Sequence, residues 1–326
     1  MTFDERAAAV ADHGFTDRQA RFLVTVMLHS GVCLGRHYAT FARITHGQKV
    51  QDFFQKLLAR KYATVRRCGH NTARLYHVHH KPLYAAIDEP NNRHRKPFGL
   101  ARAVERLMVL DGVLAQRDLQ WLGTEREKVA FFTSKWRVSE TTLPQVRFAS
   151  EGGATVRHFT EKLPIGVGDD GRTHVFVYLA TRPMPVDFRM FLERHAELLR
   201  ALPAWTVRVL APHHLANAMN RYREAFREQI GAPLRINQLE ELRWFFQLRR
   251  DGKPVGRDER FQRARRAFGA PRFRVLYRVW LEQGDQVLDA AISPVLATAI
   301  ARQTGRFEGS VLPHRYLHLA PLAGTA

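Results

Sequence analysis

Residues 16–41, TDRQARFLVTVMLHSGVCLGRHYATF, with QKVQDFFQKLLARKYATVRR at 48–67 and ARLYHVHHKPLYAAI at 73–87, carry the pattern that decides the fold. Thr16 with Gln19 three residues on is the reciprocal pair of a capping box, so a helix is expected to start there. Phe22, Leu23, Val26 and Met27 recur at three- and four-residue spacing, which buries one face of it. Gly31 ends the helix, and Val32, Cys33 and Leu34 are apolar enough for a small strand. A second helical pattern covers residues 35–44 with Tyr38, Phe41 and Ala42 inward, and Thr45, His46 and Gly47 form a turn.

The third pattern, residues 48–61, is the candidate recognition helix. Val50, Phe53, Phe54, Leu57 and Leu58 form its apolar stripe, leaving Gln48, Lys49, Gln51, Asp52, Gln55 and Lys56 outward. Gln makes paired hydrogen bonds to adenine, Lys reaches guanine or phosphate, and the first turns of such a helix lie deepest in the major groove. A strand at 63–68 and a returning strand at 75–78 flank a turn marked by Gly69 and Asn71. Arg66, Arg67, Asn71 and Arg74 surround that turn, where a wing would meet phosphate or the minor groove. Helix, helix, helix and basic hairpin in that order point to a winged helix-turn-helix. The plainer alternative is a helical bundle with a solvated charged face and an ordinary hairpin.

These three runs resemble the winged-helix head of the replication-relaxation family of plasmids and other mobile elements. Leu57, Leu58 and Tyr62 stand where that family ends its helix in an "rL..L...gll" pattern, and Tyr76 to Leu83 approximates its "Y.LT..G..ll" tail. The resemblance covers about the first quarter of the chain. It implies DNA binding more firmly than replication or any reaction.

At 326 residues the chain can hold two domains with real cores. Its net charge of +20 favours polyanions, nucleic acid first. Because 42 of the 51 basic residues are Arg and Ala is abundant, GC-rich coding contributes to that figure, so the charge counts only together with the winged helix. No apolar run approaches a membrane span and the N-terminus lacks the pattern of a signal peptide, so a cytoplasmic, nucleoid-associated protein is expected. Cys33 and Cys68, both on expected strands, read as reduced buried thiols rather than a disulfide or metal site.

The expected layout is a DNA-binding head at 1–90, a basic linker at 91–98, and an α/β and helical domain at 99–326 that dimerises or adds DNA contacts. The linker is bracketed by Pro90 and Pro97, and its Arg93, Arg95 and Lys96 are candidates to follow the DNA backbone. A helix is expected from Gly99 to Ala115 and a short one from Glu125 to Phe132. Strand-like runs follow at 136–138, 146–148, 155–159, 163–167 and 174–179, the last two joined by the turn Gly168 to Arg172. A helix with Phe188, Phe191, Leu192, His195, Leu198 and Leu199 on one face leads to a buried strand at 206–210, and the C-terminal third is helical.

Overall an α/β (α+β) chain is expected. Strand, hairpin, strand, helix, strand resembles the restriction-endonuclease-like fold, which implies an acid on one strand and a Glu-x-Lys pair on the next to hold a divalent metal. Here the matching strand, residues 175–180, has neither carboxylate nor lysine. Asp169 and Asp170 sit in the turn, where Asp belongs for local reasons, and Glu161 with Lys162, the nearest substitute, is out of place. The fold, where present, is therefore expected to be degenerate and without cofactor.

His77 and His79 share a strand face with Tyr84 downstream, the arrangement by which nicking enzymes bind a metal and supply a nucleophile. A pair of histidines on the wing's return strand is the plainer account. No Gly-rich phosphate loop, paired Cys-x-x-Cys or Gly-x-Ser-x-Gly occurs. The leading expectation is a sequence-specific double-stranded DNA-binding homodimer, a transcriptional regulator of a bacterial mobile element. The alternatives are a nicking or nuclease enzyme of element transfer, and a non-specific nucleic-acid-binding structural protein.

Overall fold

Thr2 and Thr16 each close a capping box, with Glu5 and Gln19, and so start α1 (Phe3–Ala11) and α2 (Asp17–His29). The structure, a computed structural model, describes residues 1–68, 73–150, 153–252 and 258–316. After α2 come β1 (Val32–Leu34), α3 (Gly35–Ala42), α4 (Gln48–Ala59), β2 (Ala63–Arg67), β3 (Arg74–Val78) and α5 (Lys81–Ala86). The strands form an antiparallel sheet in the order β1-β3-β2. Cys33 and Cys68 are buried free thiols.

Residues 91–98, read as a basic linker, pack as a strap. A single tight turn, Arg93–Arg95, buries His94, whose carbonyl oxygen lies 2.9 Å from His77 Nε2. Gly31, at φ +73°, is the residue that lets the strap in, since a Cβ there would stand 2.4 Å from that same carbonyl oxygen.

The remainder runs α6 (Leu100–Leu114), β4 (Leu119–Leu122), α7 (Glu125–Ala130), β5 (Gln145–Ser150), β6 (Gly153–His158), β7 (Ile165–Gly168), β8 (Thr173–Leu179), α8 (Val186–Ala201), β9 (Ala204–Ala211) and α9 (Met219–Ile230). It ends with α10 (Ile236–Arg250), α11 (Glu259–Ala267), α12 (Pro271–Gln283), α13 (Gln286–Ala291), α14 (Val295–Ala301) and β10 (Gly305–Val311). A mixed sheet has the order β10-β9-β8-β7-β4, parallel from β10 to β8 and antiparallel beyond. Its two faces follow the period-2 alternation of the strands. Phe176, Trp205, Val207 and Val209 join the α8 and α9 core, whereas Val177, Leu179 and Leu210 pack with α6. The chain is thus a mixed α/β protein. Among the described residues no helix is long and apolar enough to cross a membrane.

Two local expectations need correction. Residues 136–138 are not a strand: α7 widens into a π-type turn over Phe131–Lys135, and the Val138 amide returns to the Phe132 carbonyl with both side chains buried. The edge strand β10 gave no strand signal because it carries two glycines. Both face bulky neighbours, since a Cβ at Gly305 would stand 2.4 Å from the Trp205 ring and one at Gly309 2.5 Å from Met219 Sδ.

α6 serves both cores. Leu110 and Leu114 join the N-terminal cluster, and Ala103, Leu107 and Val113 join one that also contains Val32, Leu75 and Val177. Asp111 on the same helix accepts from Arg36 Nη2 at 2.8 Å, from Arg36 Nη1, and from the Tyr316 hydroxyl at 2.6 Å. His37 Nε2 lies 3.0 Å from it. The Leu34 amide donates to His37 Nδ1 at 2.8 Å, so the ring proton is on Nε2 and is donated to Asp111.

Burial alone would raise the Asp111 pKa, but the hydrogen bonds from Arg36 and His37 outweigh it and hold the carboxyl well below its ordinary range. A depressed acid contributes stability that is complete above the unfolded-state pKa of about 3.9 and is lost as pH falls below it. Asp111→Asn is expected to cost about 2–3 kcal/mol at neutral pH, below the usual cost of breaking a fully buried pair because Arg36 is partly exposed. Urea unfolding of both proteins checks this, with the difference expected to shrink as pH drops below about 3.9, where the carboxylate of the unfolded chain takes up its proton.

Candidate nucleic-acid interface

α4 is held in rotation by two ring stacks. Phe53 lies on Tyr38 with centroids 4.2 Å apart, and Phe54 lies on Tyr76 at 3.9 Å. With Val50 and Leu57 also buried, Gln48, Lys49, Gln51, Asp52 and Gln55 face solvent as expected. Gln48 is partly engaged, donating to Asp52 Oδ1 at 2.6 Å. Lys56 is not with this group. Its ammonium donates to the Gly14 carbonyl and lies 5.1 Å from the Phe15 ring centroid, so it ties α4 to the α1–α2 turn.

Pairing in the hairpin splits its arginines between two faces. Arg67 stands directly opposite Arg74, on the face that carries Ala63 and the buried Tyr76, while Arg66 stands opposite Leu75 on the other. Like charges directly opposite each other cost about 0.2–1 kcal/mol unless an anion lies between them. Asn71 belongs to residues 69–72, outside the described residues.

On its own face Arg66 lies 5.6 Å from the Phe98 ring centroid, and Arg106 lies on the same ring at 4.5 Å. From there cations continue along the strap and α6. Arg106 Nη2 donates to the Arg93 carbonyl at 3.5 Å and its buried Nη1 has no partner. Arg93 donates to the Lys162 carbonyl at 2.8 Å. It is exposed by area yet hemmed in by protein, which lowers its pKa to about 10, with Arg106 and Arg102 adding to the effect. Lys162 is lowered too, by desolvation and then by Arg93 and Arg157. Lys96 is exposed on the same strap, whereas Arg95 turns back to the Pro90 carbonyl at 3.1 Å.

Behind this row, Lys128 is 1% exposed. Its Nζ donates to the Leu163 carbonyl at 2.6 Å and lies 5.6 Å from the Phe159 ring centroid. Burial lowers its pKa to about 7, and Arg93 adds to the effect. Arg102, Arg106 and Lys128 are not singled out by the sequence, and Lys162 enters there only with Glu161 as a substitute for a metal-site pair. The four-residue spacing of Arg102 and Arg106 on a helix was a usable signal; nothing local marks Lys128.

The residues weighed for cleavage are placed differently. Tyr84 is fully buried, and its hydroxyl donates to the Val78 carbonyl at 3.2 Å. Burial raises its pKa, so in this conformation it neither ionises readily nor reaches a phosphodiester. His77 and His79 have ring centroids 5.6 Å apart. Asp170 accepts from the Arg172 and Thr173 amides, both at 2.9 Å, and from the Thr173 hydroxyl, the turn chemistry expected of it. Asp169 is exposed beside it, and Glu161 accepts from Arg194. Among the described residues no three His, Cys, Asp or Glu side chains are grouped to hold a metal.

Neither a protein-family model, nor a curated protein, nor a solved structure matches the chain.

Lys128 offers a test of this electrostatic crowding. A base whose folded pKa is lowered binds fewer protons folded than unfolded, so stability rises with pH between about 7 and the unfolded value of about 10.4. Lys128→Met is therefore expected to stabilise the protein, most at or below pH 7 and by a shrinking amount toward pH 10, about where the unfolded lysine loses its charge. Chemical denaturation at the two ends of that window measures it; a gain that grows with pH would show the sign to be wrong.

Proposed function

We propose that the chain binds double-stranded DNA through its first ninety residues, acting as a winged helix-turn-helix, and regulates transcription in a bacterial mobile element. The observation that carries the proposal is the pairing of two surfaces. The outward face of α4 presents Gln48, Lys49 and Gln51 with little internal engagement, and the neighbouring hairpin places Arg67 and Arg74 directly opposite each other. Uncommitted polar groups on a rigidly held helix suit base edges, and an unrelieved cation pair suits phosphate.

A single helix reads only a few base pairs, so a regulator of this design acts as a homodimer on a two-fold site. The five-stranded sheet then serves as scaffold, in keeping with the expected degenerate restriction-endonuclease-like arrangement, because strand β8 lacks a carboxylate or lysine. Such a protein works at the nucleoid in the cytoplasm and needs no cofactor.

Gel shifts at physiological salt compare DNA from upstream of the protein's own gene with unrelated DNA, with and without magnesium. Preference for its own upstream DNA, left intact, is expected. Equal binding of both would favour the structural nucleic-acid-binding alternative, and magnesium-dependent nicking would favour an enzyme. Lys49→Ala or Gln51→Ala is expected to change the preferred sequence, at about 1–3 kcal/mol of discrimination per paired contact. Arg74→Ala is expected to weaken all sequences alike and to flatten the plot of log affinity against log salt by about 0.9 for the lost phosphate contact. Uniform loss on every sequence for all three variants would overturn the assigned geometry.

A further inference from the structure

A cavity of about 550 Å³ opens between the strap and the loop after β6, apart from the α4 face. Asp88, Glu89, Arg93, Lys96 and His94 form one wall, and Glu125, Lys128, Arg157, Phe159 and Lys162 the other. Its charges do not balance. Asp88 pairs with Arg126 at 2.6 Å, and Glu125 with Arg157 at 2.7 Å, accepting also from the His158 amide. Among the described residues Arg93, Lys96, Lys128 and Lys162 have no carboxylate within ion-pair distance.

Lys128 is the telling member. An ammonium has three donors, and here only the one to Leu163 is used among protein groups, in a side chain with almost no access to bulk water. Glu127, Glu161 and Glu125 act on it from beyond ion-pair distance, but burial and Arg93 outweigh them, and a buried charge without a direct partner is costly. Arg93 and Lys162, joined by the 2.8 Å bond from guanidinium to carbonyl, close over the same cavity. His94, 5% exposed, adds a buried Nδ1 with no hydrogen-bond partner to the wall.

We propose that this cavity binds a phosphate-bearing small molecule, with Lys128, Arg93 and Lys162 holding the phosphate. An anion at this place supplies the counter-charge that all three lack and the acceptors for the unused Lys128 donors. The depth of Lys128 favours a free ligand over a phosphate of an intact duplex, whose backbone stays at the protein surface. A volume of about 550 Å³ exceeds what one phosphate needs and leaves room for a body such as a nucleoside. The site stands whether or not α4 reads DNA.

Isothermal titration of the full chain with pyrophosphate, in chloride buffer free of other multivalent anions, tests the site. One equivalent is expected to bind, with affinity reduced about tenfold or more in Lys128→Met and in Lys162→Ala, a loss of about 1.4 kcal/mol each. Lys49→Ala, on the α4 face, is expected to leave pyrophosphate binding unchanged. Because Lys128→Met is expected to be more stable than the parent, its loss of binding is not a loss of folding. Titration in the presence of a saturating short duplex identifies the source of the phosphate. Undiminished binding supports a free ligand; displacement of pyrophosphate by the duplex, together with weaker binding of the duplex itself by Lys128→Met, would assign the cavity to the DNA backbone and overturn the small-molecule proposal. No saturable binding, or equal binding by parent and both variants, would overturn the site while leaving DNA recognition by α4 untouched.

Discussion

The Asp111 carboxylate sits on α6 where two other stretches far apart in sequence converge, and each brings donors: Arg36 and His37 from the start of α3, and Tyr316 from the end of the described chain. Burial makes the arrangement demanding, since every donor left without its acceptor there costs about 1–3 kcal/mol. The consequence reaches α4 through two adjacent residues. His37 faces the hub while Tyr38 stacks on Phe53, so the contact that joins the two parts of the chain also sets the helix whose outward face is the candidate reading surface. His37 does a second task, accepting the Leu34 amide at the helix start where leucine has no polar side chain to offer.

Around the strap the electrostatics run the other way. The Asp111 carboxylate is met by four donors, whereas Arg93, Arg106 and Lys128 have no carboxylate within ion-pair distance among the described residues; burial lowers all three pKa values, helped by Arg106 and Arg102 at Arg93, by Arg102 at Arg106 and by Arg93 at Lys128. Folding tolerates this because the apolar contacts beneath are extensive: the α6 cluster runs without interruption from Val32 to Leu210. A concentration of positive charge on a well-packed frame suits an anion-binding surface, and it lowers stability while no anion is bound.

Much of the N-terminal third was legible because its signals are local. Thr16 with Gln19, Gly31, and the stripe of Val50, Phe53, Phe54 and Leu57 each depend on neighbours within a few turns of helix. What escaped depends on partners far along the chain. Asp111 gives no sign of Tyr316, which lies 205 residues away. Lys56 sits at an outward-reading position, yet Gly14 and Phe15 claim it from the preceding turn. Pro90 and Pro97 spell a connector, and the packing of His94 against Gly31 is visible only once both are placed. Gly305 and Gly309 disguise β10 for the same reason, being small to admit Trp205 and Met219.

The hairpin then stands between two positive surfaces that cannot both meet one straight duplex in the same way. Arg67 and Arg74 share the face that packs on α4 through Tyr76, and Arg66 opens the other, toward Phe98, Arg106 and the strap. A duplex seated on α4 touches the first face and passes the edge of the hairpin. To engage the second it would have to bend around that edge, at a cost of order 1–6 kcal/mol for a bend of 40–90° over about two to three helical turns. The strap surface is therefore better matched to a separate anion than to more of the same DNA, unless the DNA is one that bends readily. The division of the arginines by strand parity, a property fixed by the backbone register alone, separates the two surfaces.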